Sequence, residues 1–181
     1  MALRFKFSEE KALEALCWIA RQWPDITPFY VAKVLFYAEK AHINAYGRPI
    51  IADTFIRMNY GPVPSTIRDF IEGNYLFASN AEEVTATISV DATGRYPKVR
   101  ALRDARLDLL SESDVECLRD ALSMCRPMGF AALSDMTHLE RAWLDAEPNQ
   151  PMDYADFIDD DNPHRDEIIE QALTHAAHGV L

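Results

Sequence analysis

Cysteine is scarce in this chain of 181 residues, and long apolar runs are absent from it. The three cysteines, Cys17, Cys117 and Cys125, are scattered and odd in number, which argues against a disulfide framework and against a zinc site. No uninterrupted apolar stretch approaches the roughly 20 residues that a membrane span needs. The first residues lack the apolar core of a signal peptide. These absences predict a cytoplasmic protein with no membrane partner.

The sequence signatures of several enzyme classes are also missing. There is no GxGxxG, no P-loop, no GxSxG and no Cys/His metal-ligand set. His175 and His178 lie three residues apart, and such a pair binds transition metals weakly, but a solvated helix end is the favoured interpretation. We therefore expect no catalytic constellation, no cofactor and no metal.

Acidic residues outnumber basic ones, and the net charge of −11 is unevenly placed. Residues 108–181 hold 17 Asp and Glu against 4 Lys and Arg, so the acidity belongs to the C-terminal part. Such a surface repels nucleic acid and membranes and attracts basic proteins. The chain also has a basic stripe, made of Arg95, Lys98, Arg100, Arg103 and Arg106. We interpret this stripe as a docking site for the acidic C-terminal arm or for an acidic partner. The flanking acidity and the negative net charge oppose nucleic acid as its partner.

Helices are predicted where apolar residues recur at helical spacing between capping residues. Ser8 is expected to cap the first helix. Thr27 and Pro28 are expected to start the second helix, and Gly47 to end it. Ser65 is placed to start the third. The predicted helices cover residues 9–22, 28–46, 65–73, 111–125, 131–136, 138–144 and 164–177.

Strands are predicted in two regions. Residues 50–58 are rich in β-branched and apolar side chains, and residues 84–90 alternate with period two. Residues 96–102 are a candidate partner strand after a turn at 91–94. Between the first strand and the third helix, residues 60–64 form a stiff loop with two prolines. The predicted fold class is α+β, mostly α-helical, with a small two- or three-stranded antiparallel sheet.

One composition shift suggests a boundary. From about residue 145 the chain turns acidic, with prolines at positions 148 and 151. We expect a main domain over residues 1–145. Residues 146–181 are expected to form an acidic C-terminal arm and a final helix packed on the same domain.

A set of short motifs in fixed order spans the second helix and the segment after it. They are Lys33, the Leu35-Phe36-Tyr37-Ala38 run, His42, Tyr46-Gly47-Arg48-Pro49, Asp53 and Tyr60-Gly61-Pro62-Val63-Pro64. A weaker set follows at Leu133-Ser134, Thr137-His138 and Trp143. This ordered combination resembles the Panacea domain, the SocA-like antitoxin family first noted as phage-associated proteins.

The resemblance implies a mostly helical bacterial antitoxin that neutralises a cognate protein toxin by binding it. At least one branch of the family acts as an adaptor that hands its toxin to a cytoplasmic AAA+ protease such as ClpXP. The partner-binding residues expected from the motifs and the acidic arm are Lys33, Tyr37, His42, Arg48, Asp53, Tyr60, Gly61, Pro62, Val63, Pro64, Asp156, Asp159 and Asp160.

Two other functions remain as alternatives. A hydrolase- or nuclease-like enzyme would use His42 with Glu39 and Asp53, or His138 with Glu140, for acid–base chemistry. A repressor of its own operon would bind DNA, which the acidic balance opposes. For His42, a histidine satisfied by hydrogen bonds at the helix–strand junction is the favoured interpretation.

Overall fold

Helices make up most of the chain, and two short β-hairpins lie between them. The computed structural model describes residues 3–76 and 78–177, and it is 54% helical. The helices are α1 (Glu9–Gln22), α2 (Pro28–Tyr46), α3 (Ser65–Glu72), α4 (Ala81–Thr87), α5 (Glu112–Cys125), α6 (Phe130–Thr137), α7 (Arg141–Asp145) and α8 (Arg165–Ala177). The strands are β1 (Phe55–Met58), β2 (Gly61–Pro64), β3 (Ile88–Asp91) and β4 (Lys98–Ala101). None of the described helices has both the length and the apolar character needed to cross a membrane.

The first two helices begin and end close to the predicted residues. The Ser8 hydroxyl accepts the Lys11 N–H at the start of α1. Gly47 ends α2 with a left-handed φ of 70°. Pro28 is the first residue of α2, but the side chain of Thr27 makes no capping bond. α2 is the central helix, since it packs against both α5 and β2.

Each hairpin forms its own antiparallel sheet. Phe55 lies opposite Pro64 in the β1–β2 pair, and Ile88 lies opposite Ala101 in the β3–β4 pair. The predicted mostly helical α+β class with a small antiparallel sheet is confirmed. A single three-stranded sheet that joins both regions is wrong, because the two pairs are not hydrogen-bonded to each other.

The predicted strand over residues 84–90 is wrong in its first half. Asn80 accepts the Glu83 N–H and starts α4, and the Thr87 hydroxyl donates to the Glu83 carbonyl at 2.7 Å. Val84, Thr87 and Ile88 are all buried, at spacings of three and four residues. The alternating pattern is therefore also compatible with one buried face of a helix, and the side-chain cap at Asn80 favours the helix.

Part of the segment after α7, residues 152–158, contributes to the hydrophobic core. Tyr154 and Phe157 are buried in a short 3₁₀ turn. The Met152 N–H donates to the Phe55 carbonyl, which places this segment beside β1. Over this range the segment is therefore packed against the rest of the fold. A domain division at residue 145 stays a prediction.

Candidate partner-binding site

Lys33 lies on a buried face of α2 and supports the β1–β2 hairpin from beneath. It is 1% exposed, and its Nζ atom donates a hydrogen bond to the Pro62 carbonyl at 3.1 Å. The same nitrogen lies 4.7 Å from the centre of the Phe29 ring. Burial lowers the pKa of Lys33 to about 7, because the charged amine loses its hydration. Lys33 is therefore an internal support for β2.

Glu39 lies on α2 and is fully buried. Its carboxylate accepts the N–H groups of Ile50 at 2.9 Å and Ile51 at 2.7 Å. Burial raises the pKa of this carboxyl to about 7, and the backbone N–H donors act in the opposite direction. The bonds hold an irregular segment in which Ala52 has a φ of 61°. This explains why the predicted strand over residues 50–58 is irregular before β1.

His42 is a buried histidine with partners on both ring nitrogens. Its Nδ1 atom donates to the Arg48 carbonyl at 2.7 Å, and its Nε2 atom lies 3.0 Å from the Ser113 hydroxyl. Nε2 also lies 3.1 Å from the Asp114 carboxylate, which forms an ion pair with Lys11 at 2.7 Å. Burial alone would raise the pKa of Asp114, but His42 and Lys11 outweigh it and hold that pKa well below its usual range. The exposed Arg48 side chain reaches the same carboxylate at 3.2 Å.

Asp53 caps α3 from a position outside the helix. Its carboxylate accepts the N–H groups of Thr66 and Ile67, each at 3.0 Å. The residue before the helix is Pro64, which has no capping side chain. Ser65 starts α3, as predicted, although it is itself helical and its hydroxyl donates to Asp53 at 3.3 Å and does not cap the helix.

The three residues of the enzyme hypothesis each bond a different part of the chain. Glu39 binds the segment after α2, His42 joins that segment to α5, and Asp53 binds the start of α3. In the described ranges, no group of three His, Cys, Asp or Glu side chains is arranged to hold a metal. For the predicted histidine pair, the His175 side chain and all of His178 lie outside what the structure describes.

The second motif cluster packs beside α2. The His138 ring stacks on Trp143 with 4.0 Å between ring centres, and the Glu140 carboxylate pairs with Lys40 at 2.6 Å. Tyr37 is partly buried nearby, and burial, followed by the Glu140 charge, raises the pKa of its hydroxyl. These polar groups therefore join α2 to the segment between α6 and α7.

Tyr60 is the exposed residue of the hairpin motif. It sits in the turn between β1 and β2 with 63% of its surface exposed. The rest of the motif lies in β2: Gly61, Pro62 and Pro64 are buried, and Val63 is partly buried. Most of the motif thus positions the hairpin, and Tyr60 faces solvent.

The acidic residues of the C-terminal arm that are predicted to bind a partner are all in ion pairs. Asp159 pairs with Lys40 at 2.9 Å. Asp156 pairs with Arg141 at 3.3 Å, and Asp160 also pairs with Arg141. Asp159 and Asp160 keep an exposed side, whereas Asp156 is partly buried.

The basic stripe has its acidic partners elsewhere in the fold. Arg103 and Arg106 pair with the fully buried Glu14 at 2.6 and 2.9 Å, and Arg103 also pairs with Glu83 at 3.1 Å. Burial alone would raise the pKa of Glu14, but the two guanidinium groups outweigh it and lower that pKa. The prediction that the C-terminal arm docks on this stripe is wrong for these two arginines.

Sequence reasoning missed two residues that shape this region. The Asn44 side chain donates to the Phe157 carbonyl and accepts the Asp159 N–H, both at 2.8 Å, and so ties the C-terminal segment to α2. An asparagine in the last turn of a predicted helix was a usable signal, since its side chain competes with helical bonding unless it has another role. Phe130 contacts Tyr60 with 5.2 Å between ring centres, and no sequence pattern predicts that contact.

One comparison with known proteins gives a match. The family model described as antitoxin SocA-like, Panacea domain, matches residues 31–144, which is more than half of the chain. No curated protein and no solved structure matches the chain. The matched range runs from the first turn of α2 to α7 and contains Lys33, His42, Asp53 and Tyr60. Such an antitoxin-like domain suggests a role in a toxin–antitoxin system, with a protein toxin as the partner and without enzymatic activity. The chain belongs to the SocA-like antitoxin family that is defined by the Panacea domain.

Proposed function

We propose that this protein is the antitoxin of a bacterial toxin–antitoxin pair and that it neutralises a cognate protein toxin by direct binding. One observation carries the proposal: the chain matches an antitoxin family, and the motif residues within that match are mostly buried supports. Lys33, His42 and Asp53 each bind backbone groups, so their polar atoms are occupied in the folded protein. These buried bonds hold the neighbouring surface in one conformation, and such a preformed surface favours the binding of a protein partner.

The predicted binding residues divide into two roles in this proposal. Direct contact with the toxin is assigned to the residues with exposed side chains, which are Arg48, Tyr60, Asp159 and Asp160. Positioning of that surface is assigned to the buried or partly buried ones, which are Lys33, Tyr37, His42, Asp53, Gly61, Pro62, Val63, Pro64 and Asp156.

Co-expression with the adjacent open reading frame tests this function. The tagged protein and the adjacent gene product are produced together, and growth is followed in parallel with a pull-down. We expect the adjacent product to arrest growth by itself, and the pair to grow normally and to co-purify as a stoichiometric complex. A folded protein that gives neither rescue nor a complex would contradict the proposal.

We also propose a finer form of this function, in which the antitoxin delivers its toxin to a cytoplasmic AAA+ protease such as ClpXP. The motive is the family resemblance, since one branch works in this way. The test is the half-life of the toxin in cells that contain the antitoxin, measured with and without the protease. A toxin half-life that is the same in both strains would leave masking as the mechanism.

A further inference from the structure

Five aromatic rings form a continuous row where the start of α2, the start of α6 and the β1–β2 turn meet. In order along the row, they are Trp23, Tyr30, Phe29, Phe130 and Tyr60. Successive ring centres are 5.0, 5.2, 4.4 and 5.2 Å apart, which is contact distance for aromatic pairs. We call these five residues the aromatic row.

One end of the row is open to solvent. Tyr60 is 63% exposed and Phe130 is 47% exposed, although both are large apolar side chains. The other three rings are partly buried. An exposed aromatic pair continuous with partly buried rings is unusual on a protein surface and is typical of an interaction site.

The row is held rigidly from below. The Tyr30 hydroxyl donates to the Met128 carbonyl at 2.8 Å, which fixes that ring. Lys33 contacts Phe29 and donates to the Pro62 carbonyl, so it ties the helix to the hairpin that carries Tyr60. A surface that is already ordered loses little conformational entropy when a partner binds.

The charged groups that lie over rings of the row are basic, although the whole chain carries −11. The Arg126 guanidinium lies 5.5 Å from the centre of the Trp23 ring, and no carboxylate in the described part of the chain pairs with it. α2 and α6 both start at the row, and neither has a capping side-chain bond or an acidic residue in its first turn. The positive end of each helix is therefore not offset by a side-chain cap or within its own first turn.

We infer that the aromatic row is the docking surface for the toxin, and that the toxin binds it with an apolar segment flanked by carboxylates. This inference rests on the proposed function. Aromatic and arginine side chains dominate the binding energy of protein interfaces, and the row combines both. A carboxylate of the toxin complements Arg126 and the two helix ends.

A protein segment fits the row better than single-stranded nucleic acid does. Nucleic acid also stacks on aromatic rings, but it needs a groove of cations that follows its phosphates. The cations in contact with the row are the exposed Arg126 and the buried Lys33, and the net charge of the chain opposes a polyanion at longer range.

The test compares matched variants in a binding titration with the purified product of the adjacent open reading frame. We expect Tyr60→Ala and Phe130→Ala each to weaken binding by about 30-fold or more, the loss typical of an aromatic hot spot. Tyr96→Ala is the control, since Tyr96 is similarly exposed, at 60%, but lies between β3 and β4. It should bind with wild-type affinity.

The charge component has its own matched pair. Arg126→Glu should weaken binding by about tenfold or more, because it places a carboxylate against the toxin's carboxylates. Arg95→Glu is the control, because Arg95 lies over Tyr96 at a similar distance, 5.4 Å, outside the row. Its affinity should stay that of the wild type.

The outcomes separate the two proposals. A wild-type protein that does not bind the adjacent product contradicts the proposed function. Wild-type binding that Tyr60→Ala, Phe130→Ala and Arg126→Glu all leave unchanged overturns the docking surface alone. Tight binding of a fluorescent single-stranded oligonucleotide that is lost in Tyr60→Ala would also overturn it, in favour of nucleic acid. The exposure of the substituted side chains keeps the fold intact, which a thermal melt of each variant checks.

Discussion

At the scale of single residues, the buried lysine of α2 connects stability to pH. The pKa of Lys33 falls from its ordinary 10.5 to about 7 on burial. Between these two values the unfolded chain holds a proton that the folded chain has released, so stability rises with pH across this window. The slope is about 1.4 kcal/mol per pH unit for one proton. Lys33→Met removes this titration. We therefore expect the free energy of unfolding, measured in urea between pH 7.5 and 9, to rise less steeply with pH in this variant than in the wild type.

Two features keep that experiment specific. The nearby Cys125 stays a thiol across the window, because burial raises its pKa to about 12. Lys98→Met is the control, because Lys98 is exposed on β4 and its loss should leave the wild-type slope. Parallel pH profiles for the wild type and Lys33→Met would show that the folded chain keeps Lys33 charged.

Gly61 is the position where the motif depends on the absence of a side chain. It has a φ of 103°, and an added Cβ would overlap the Thr137 hydroxyl and lie 2.9 Å from the Lys33 Nζ atom. We expect Gly61→Ala to destabilise the fold by about 3 kcal/mol or more, from backbone strain and overpacking together. Gly73→Ala is the matched control with strain alone, since Gly73 has a φ of 74° and open space around it, and about 1 kcal/mol is expected. If chemical denaturation gave the same loss of unfolding free energy for Gly61→Ala and Gly73→Ala, the packing argument would be wrong.

At the scale of elements, α3 takes its cap from the segment that precedes β1. Asp53→Ala removes the acceptor for the Thr66 and Ile67 N–H groups, and we expect a loss of about 2 kcal/mol or more, because buried donors are left unpaired. Ser65→Ala should cost less than about 0.5 kcal/mol, since its hydroxyl caps nothing. The measurement is the free energy of unfolding, and the reverse order of the two variants would contradict this assignment.

The elements also show what sequence can predict. α1, α2 and α5 were predicted within a residue or so, because local signals such as Ser8, Gly47 and Ser111 mark their ends. The start of β1 was not predictable, because Glu39 holds the preceding segment from a different element. The sequence identified the motif residues but led us to assign them to the partner-binding surface, whereas the fold buries most of them. Whether a polar side chain faces solvent or a distant backbone group depends on tertiary packing.

At the scale of the whole molecule, the fold neutralises much of its own charge asymmetry. Three acidic residues after α7, Asp156, Asp159 and Asp160, pair with Lys40 or Arg141. Two arginines of the basic stripe, Arg103 and Arg106, pair with Glu14 and Glu83. The negative sum over residues 108–181 is therefore partly balanced within the fold. No carboxylate in the described ranges pairs with Arg126, so the charge beside the aromatic row is opposite to the overall sign of the chain.

The C-terminal segment packs against the same hydrophobic core as the hairpin motif. A chain that ends after Pro148 loses Tyr154 and Phe157 from the core, together with the Asn44 contacts to this segment. Removal of one large buried aromatic side chain costs about 3–5 kcal/mol, and marginally stable domains have only about 5–15 kcal/mol in total. We expect the truncated chain to lack the cooperative thermal melt of the full chain and to lose toxin binding, while Asp161→Ala, an exposed change in the same segment, keeps both. Loss of toxin binding in the truncated chain would then report unfolding and not a missing contact. A truncated chain that still melts cooperatively would instead show that residues 1–148 fold independently, and the segment would then be available as a handle for a protease.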